Sequence, residues 1–292
     1  MSEFNFHHRL QKEKLLCAMG VYDALSARIV ESMDFECLYL TGYGVAFANY
    51  GYPDIGLITL TEMVDSAYRI TERSTLPLIA DADTGYGNAV NMIRTVREYE
   101  RAGVKAIQIE DQVFPKRCGH MEGKSIISNE EMRSKIIAAV DSRRSEDTLI
   151  IARTDALAIE GFDAAIERGN LYSSWGADVI FIEAPSTRSE VERIPSLIQG
   201  YTLLNIAPRT PDFSLCEIEA MGYDIAIYPG ITFTAAYQAI QNELQWFKDT
   251  GREKLLPYWK THFREMNDLV GLSEFRRLER DYTTVRDDTT RR

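Results

Sequence analysis

The chain has 292 residues, 45% of them hydrophobic, which is enough to bury a full core as one large α/β domain or two small ones. Its net charge of −11, without a basic stripe, argues against nucleic acid as a partner. No apolar stretch reaches membrane-spanning length, and the opening MSEFNFHHRLQKEK is polar with no apolar run behind it, so no signal peptide or membrane partner is expected and the protein is expected to be cytoplasmic.

Eight short apolar runs follow in order: Leu15–Met19, Cys37–Leu40, Leu76–Ala80, Ala106–Ile109, Leu149–Ala152, Val179–Ile182, Thr202–Ile206 and Ile225–Tyr228. Between them lie stretches with helical spacing, among them 88–103, 129–144 and 162–177. Gly103, Gly176 and Gly222 stand where such stretches stop, and they fit helix C-terminal positions with positive φ. Strand alternating with helix, eight times over, predicts a (β/α)8 TIM barrel. The runs are continuous rather than alternating, as parallel strands covered on both faces require. A doubly wound open sheet is the main competitor, but no GxGxxG turn follows the first strand.

Beyond the eighth run, helical patterns cover 233–248 and roughly 253–282. That is more helix than one barrel needs. The expectation is a single barrel domain over 1–292, with a C-terminal helical extension at about 250–285 that packs on a neighbouring subunit and a frayed TTVRDDTTRR end. The four cysteines show no CxxC spacing, so neither a disulfide framework nor a structural zinc site is expected. Cys17, Cys37 and Cys216 are predicted to be packed core thiols. His7 and His8 lie in the polar leader and are expected to be solvated, and His262 falls in a helical pattern.

In a barrel, polar residues at the C-terminal ends of strands converge on one site. Those ends supply Tyr39, Thr41 and Gly42; Asp81 and Asp83; Glu110 and Asp111; Arg153, Thr154 and Asp155; Glu183; and Asn205. Acids leaving three strands are costly to bury without a cation, and oxygen-only ligands favour Mg2+ or Mn2+ over zinc. Strand alternation would point Asp81 and Asp83 the same way, although D-T-G-Y-G is also compatible with a solvated turn. Arg153 is either a structural partner for one of these acids or a fork for a substrate carboxylate. Tyr39, Glu183 and Asn205 are each weak signals alone, and their common placement at strand ends is what counts.

The stretch 106–120, AIQIEDQVFPKRCGH, runs from a strand through two carboxylates into a loop whose thiol is enclosed by cations. Cys118, flanked by Lys116, Arg117 and His120, is expected to have a lowered pKa and to be reactive. Strand-end acids with a polarised thiol beyond suggest metal-assisted chemistry with an acid–base cysteine.

YDALSARI (22–29), YLTGYGVA (39–46), DADTGYGNA (81–89), IEDQVFPKRCGH (109–120), ARTDA (152–156), IEA (182–184) and Asn205 together resemble the isocitrate lyase/phosphoenolpyruvate mutase superfamily, and within it the cysteine-bearing methylisocitrate-lyase-like branch. The resemblance covers roughly residues 15–250. It implies a homotetramer in which the last helix swaps onto a neighbour's barrel. It implies Mg2+ (Mn2+ being possible) with Asp83 as the nearest ligand and Asp81 and Glu110 holding waters. It further implies a carboxylate substrate held by Thr41, Gly42 and Arg153, within a pocket to which Tyr43, Asp54, Gly119 and Asn205 also belong.

For a lyase, the resemblance implies a retro-aldol cleavage of a 2-hydroxy di- or tricarboxylate, of the 2-methylisocitrate or 2,3-dimethylmalate type, to a 2-oxo acid such as pyruvate and a second carboxylate. Tyr39 would take the C2 hydroxyl proton, aided by Arg153. Cys118 would protonate the departing enolate, tuned by Lys116 and His120, with Glu183 in the same catalytic set. The 112–128 loop would close over the substrate. Tyr43 stands where methylisocitrate enzymes carry a small residue, and Pro208 where they carry a glutamate. Arg209 would either bind a further carboxylate or lie at the surface. An oxaloacetate-splitting hydrolase, a phosphonate-type mutase and a non-catalytic binding protein are the alternative readings.

Overall fold

The computed structural model describes residues 4–12 and 14–283, so the frayed end expected beyond Thr283 lies outside the described residues. Eight strands form a closed, wholly parallel barrel in sequential order. They are β1 (Leu16–Val21), β2 (Cys37–Leu40), β3 (Leu78–Asp81), β4 (Ala106–Glu110), β5 (Leu149–Thr154), β6 (Val179–Ile182), β7 (Tyr201–Asn205) and β8 (Ile225–Tyr228). This is the predicted TIM barrel, with every strand within a few residues of its apolar run.

The strands read as continuous apolar runs because both faces are buried, but the two faces feed different layers. In β4, Ile107 and Ile109 pack outward against the helices, while Ala106 belongs to the inner layer with Leu149, Ile151, Val179, Phe181, Leu203, Ile225 and Ile227. Continued in steps of two residues, the inward rows of the strands arrive at Tyr39, Asp81, Gln108, Glu110, Arg153, Glu183 and Asn205. The register sets Asp81 beside Gln108, and Glu110 beside Arg153. Alternation thus makes one rim of a dry barrel polar.

The opposite end is closed by the leader. Asn5 caps the helix Phe6–Leu10 through the His8 N–H, and Phe6 and Leu10 are buried against the inner layer. Arg9 pairs with Glu36 at 2.8 Å. The leader is therefore a plug, and of the two histidines expected to be solvated His8 is exposed while His7 is half-buried with its Nε2 3.0 Å from the Glu146 carbonyl.

The predicted helices fall at Ala89–Arg101, Asn129–Ser142 and Phe162–Ser174, and Gly103, Gly176 and Gly222 all have positive φ. One expectation fails for Cys216, which is exposed. Its helix, Leu215–Ala220, is six residues long and buries only Ile218. No helix of the described residues is long and apolar enough to cross a membrane.

Two compact units divide the chain, one up to Thr234 and one from Ala235. Helix Ile231–Thr250 continues into the second unit, which also holds helices Leu256–Leu269 and Leu272–Thr283. The long helical pattern at 253–282 is in fact interrupted at Gly271, whose φ of +91° is a left-handed value that breaks the helix. None of these three helices buries a residue, and Leu244, Phe247, Tyr258, Trp259 and Phe263 are all exposed.

Candidate active site

Three acids gather at the rim. Asp81 ends β3, and Asp83 reaches the same space by a different route from strand alternation. Its φ is +46°, and its N–H donates to Asp81 Oδ1 at 3.0 Å. Gly42 abuts both, since a Cβ there would lie 2.8 Å from Asp81 Oδ2 and 3.6 Å from Asp83 Oδ1. Glu110 ends β4, 1% exposed. Burial pushes all three carboxyls up: Asp83 to about 7, Asp81 above its ordinary range and Glu110 well above it. Lys116, from the loop above, offsets part of this by pairing with Asp54 at 2.6 Å and Asp83 at 2.7 Å.

These residues fit a hard divalent cation. Neither oxygen of Glu110 has a hydrogen-bond partner, and Arg153 approaches Oε2 only to 3.3 Å. Buried acceptors left without donors are costly, and a cation would satisfy them. Among the described residues, no group of three His, Cys, Asp or Glu side chains forms a ready-made metal cage. Oxygen donors such as these carboxylates suit a hard ion such as Mg2+.

Arg153 stands at the centre of the rim. Its guanidinium faces Asp155 at 3.0 Å, Glu110 at 3.3 Å and Glu183 at 3.3 Å, and lies over the Phe181 ring. It thus has structural partners and also lines the cavity, so the two sequence readings are not exclusive. Tyr39 donates its hydroxyl hydrogen to Gln108 Oε1 at 2.9 Å, and Gln108 Nε2 donates to Asp81 Oδ1 at 3.3 Å. Burial first, and Asp81 next, hold the Tyr39 phenol well above its ordinary pKa.

The 112–128 loop sits over the rim. A Gln112–Ile126 bridge closes its neck, and the Gln112 amide grips Arg117 twice, at 2.8 and 2.9 Å. The Cys118 N–H donates to the Asp54 carbonyl at 3.0 Å, which brings the thiol to the cavity wall. Gly119 has no room for a side chain, because a Cβ would overlap Arg153 and Glu183. His120 Nδ1 accepts from the Arg209 N–H at 3.3 Å, which leaves Nε2 to carry the hydrogen toward Glu183, 3.0 Å away.

The thiol corrects the sequence expectation. Cys118 is not lowered but pushed up to about 11, chiefly by burial, which outweighs the His120 backbone N–H that lowers it, while Asp54 raises it further, Arg153 lowers it and Glu183 raises it. Neighbours in sequence are not neighbours in charge here: Lys116 is spent on Asp54 and Asp83, and Arg117 turns away to the Glu122 carbonyl. A thiol kept neutral is suited to giving a proton rather than to attacking.

The remaining wall is apolar. Tyr43 stacks on Phe233 at 5.2 Å and on Phe47 at 5.9 Å, and Tyr43 and Phe233 line the cavity with Ile206, Pro208 and Ile231. The cavity, about 660 Å³, is also lined by Thr41, Asp54, Gly119 and Asn205. Arg209 is exposed and does not line it, and only its backbone is engaged, through His120.

Sequence reasoning gave no role to Gln108, Lys124 or Phe233, and named Asp155 without assigning it one. Gln108 was detectable as a costly amide inside an apolar strand. Phe233 carried no such mark.

The phosphoenolpyruvate phosphomutase family pattern matches residues 6–247. A 2,3-dimethylmalate lyase of Eubacterium barkeri is 47% identical over 95% of this chain and 96% of its own. A 2-methylisocitrate lyase of Aeropyrum pernix is 42% identical over 92% and 87%. Among solved structures, oxaloacetate acetylhydrolase in complex with 3,3-difluorooxalacetate superposes with a TM-score of 0.89 at 34% identity, covering 95% of each chain. Phosphonopyruvate hydrolase in complex with oxalate and Mg2+ gives 0.83 at 29%, covering 94% and 96%.

Proposed function

Because this chain belongs to the phosphoenolpyruvate phosphomutase family and is a carbon–carbon lyase of it, we propose that it cleaves a 2-hydroxy dicarboxylate of the 2,3-dimethylmalate type. The observation that carries the substrate class is the wall facing Arg153. It consists of Tyr43, Phe233, Ile206, Pro208 and Ile231, and Arg153 is the one Lys or Arg side chain that the described residues bring to the cavity. A third carboxylate would sit against these groups without a cation, whereas alkyl groups at C2 and C3 gain from burial there. Size does not decide the choice, since about 660 Å³ admits either acid. Chemistry does.

In this reading Thr41, the Gly42 backbone and Arg153 orient the substrate's C1 carboxylate. A divalent cation, Mg2+ or Mn2+, held by Asp83 with Asp81 and Glu110 around it, would draw charge from the C2 oxygen and offset Asp81, the charge that most opposes ionisation of Tyr39. Tyr39, having first released its own phenolic proton to water, with Arg153 favouring the resulting anion, accepts the C2 hydroxyl proton. The C2–C3 bond breaks, leaving a carbonyl at C2 and passing the electron pair to the second carboxylate as an enolate. Cys118 donates its proton to that carbon. For 2,3-dimethylmalate the products balance as pyruvate and propionate.

The direct test offers the purified protein, with Mg2+, 2,3-dimethylmalate, 2-methylisocitrate and oxaloacetate in parallel. Pyruvate from dimethylmalate, at least ~10-fold above that from methylisocitrate in kcat/KM and abolished by EDTA, is expected. Oxalate from oxaloacetate with no pyruvate from either hydroxy acid would replace the lyase reading with a hydrolytic one. The exposed apolar residues of Ile231–Thr250 and Leu256–Leu269 support an assembly of identical copies, a helix-swapped tetramer, and sedimentation of the same preparation as a monomer would refute it.

The aromatic wall carries its own expectation. Tyr43→Ala removes the ring stacked between Phe47 and Phe233, and kcat/KM for dimethylmalate should fall roughly 10- to 100-fold. An unchanged ratio between the two hydroxy acids would mean that this wall does not read the substituent.

A further inference from the structure

Lys124 lies in the loop beyond Cys118, and its side chain is only 3% exposed. An ammonium that deep is costly unless paired, so its partners define what the loop can do when seated. Its Nζ donates to Asp155 Oδ1 at 2.8 Å and to the Gly119 carbonyl. Asp155 is wholly buried and in turn holds Arg153, accepting from Nε at 3.0 Å and from Nη2 at 3.1 Å. The Asp155 N–H is fixed by Asp111 Oδ1 at 2.9 Å.

One ammonium therefore touches both halves of the site. On one side it pins the peptide between Cys118 and His120. On the other it grips the carboxylate that aligns the Arg153 fork. Neither Lys124 nor Asp155 lines the cavity, so the pair acts through other residues.

The charge pattern gives this contact a direction. Glu110, Asp155 and Glu183 all face the single guanidinium of Arg153. The seated loop brings a donor to two of them, His120 to Glu183 and Lys124 to Asp155. With the loop lifted, Asp155 keeps only Arg153 and backbone-side partners, and the pull on the fork changes. Seating the loop and setting the arginine are thus one event.

We propose that Lys124 is a positioning residue, a latch that holds the 112–128 loop down through Asp155 and so places Cys118 and the Arg153 fork together. The proposal rests on the lyase reading only for its effect on turnover, because the latch can be read without substrate. Lys124→Met keeps the length of the stem and leaves Asp155 paired to Arg153, so the barrel should still fold.

The test is the rate at which iodoacetamide alkylates each cysteine of the full-length protein, resolved by peptide mass spectrometry. Exposed Cys216 reports the reagent, and Cys37, buried in the barrel interior, reports general loosening. In Lys124→Met, Cys118 should react about 10-fold faster or more while Cys37 and Cys216 keep their wild-type rates. Lys124→Arg, which retains a cation, should slow Cys118 back toward wild type. Turnover should fall about 10- to 30-fold in kcat and KM should rise about threefold or more, since the Arg153 fork that holds the substrate carboxylate is released together with Cys118. An unchanged Cys118 rate in Lys124→Met would overturn the latch, and so would a joint rise at Cys118 and Cys37. Absence of turnover on every hydroxy acid would sink the lyase reading and leave the alkylation result standing.

Discussion

Cys118→Ser is expected to lower kcat about 10³-fold while leaving the fold, read as Tm in EDTA, unchanged. The loop is held by backbone and by other side chains, namely the Cys118 N–H on the Asp54 carbonyl and Gln112 on Arg117, so a hydroxyl in place of the thiol does not release it. What changes is acidity. The thiol sits at about 11 because it is buried beside Asp54 and Glu183, which keeps it protonated at neutral pH yet still able to protonate a carbon. An alkyl hydroxyl in the same surroundings is a far weaker acid, and proton donation tracks that difference.

The same assignment fixes the sign of the pH dependence. A general acid works below its pKa, so thiol ionisation should not reduce kcat until roughly pH 10, close to the thiol's value of about 11. An alkaline fall centred near pH 8 that disappears in Cys118→Ser would mean the thiol is already ionised there, contrary to its buried setting. Near-full turnover in the serine variant would remove Cys118 from the chemistry.

The barrel was legible because its physics is local and repeated. Each apolar run such as Leu149–Ala152 is followed by helical spacing, and a glycine such as Gly103 or Gly176 ends the helix with the positive φ its position demands. The rim was legible for the same reason, since Asp81, Glu110 and Arg153 stand at strand ends wherever the register puts them. Side-chain partnerships across the rim were not. Lys116 and Cys118 are neighbours in the chain, yet the lysine's charge is consumed by Asp54 and Asp83, from two other segments, and the thiol is raised instead of lowered. Asp83 faces Asp81 by a left-handed turn that strand alternation does not foresee. Lys124 reads as one more solvated lysine until the fold sets Asp155 opposite it. The plug of Phe6 and Leu10 carried a helical i, i+4 signal that the surrounding charges masked.

Arg153→Met should be the most damaging of these substitutions for stability, and its signature should be a steeper loss of stability with rising pH than in the native chain, where raised Asp81, Asp83 and Glu110 already give a fall. In the native chain, burial is the largest influence on the Asp155 and Glu183 carboxyls and pushes them up, but Arg153 together with Lys124 at Asp155, and together with His120 at Glu183, brings both below their ordinary values. Groups lowered in this way add stability above their unfolded pKa and lose it as pH falls through the folded one. Without the guanidinium, burial prevails. The folded pKa values then exceed the unfolded ones, the native state binds more protons, and the drop in stability as pH rises from 5 toward 8 is larger than the one that Asp81, Asp83 and Glu110 alone impose. Stranding buried carboxylates should cost about 3–5 kcal/mol at pH 8, roughly 10 °C in Tm measured in EDTA. Arg153→Lys separates charge from shape. It should restore most of the stability and the native steepness of the slope, yet leave kcat/KM down at least ~100-fold, because an ammonium cannot hold Asp155 with two parallel hydrogen bonds while facing a substrate carboxylate. Thermal melts at pH 5, 6.5 and 8 decide the first claim, and a slope no steeper than the native one in Arg153→Met would refute it. Wild-type kcat/KM in Arg153→Lys would show that the rim needs only a positive charge, not a fork.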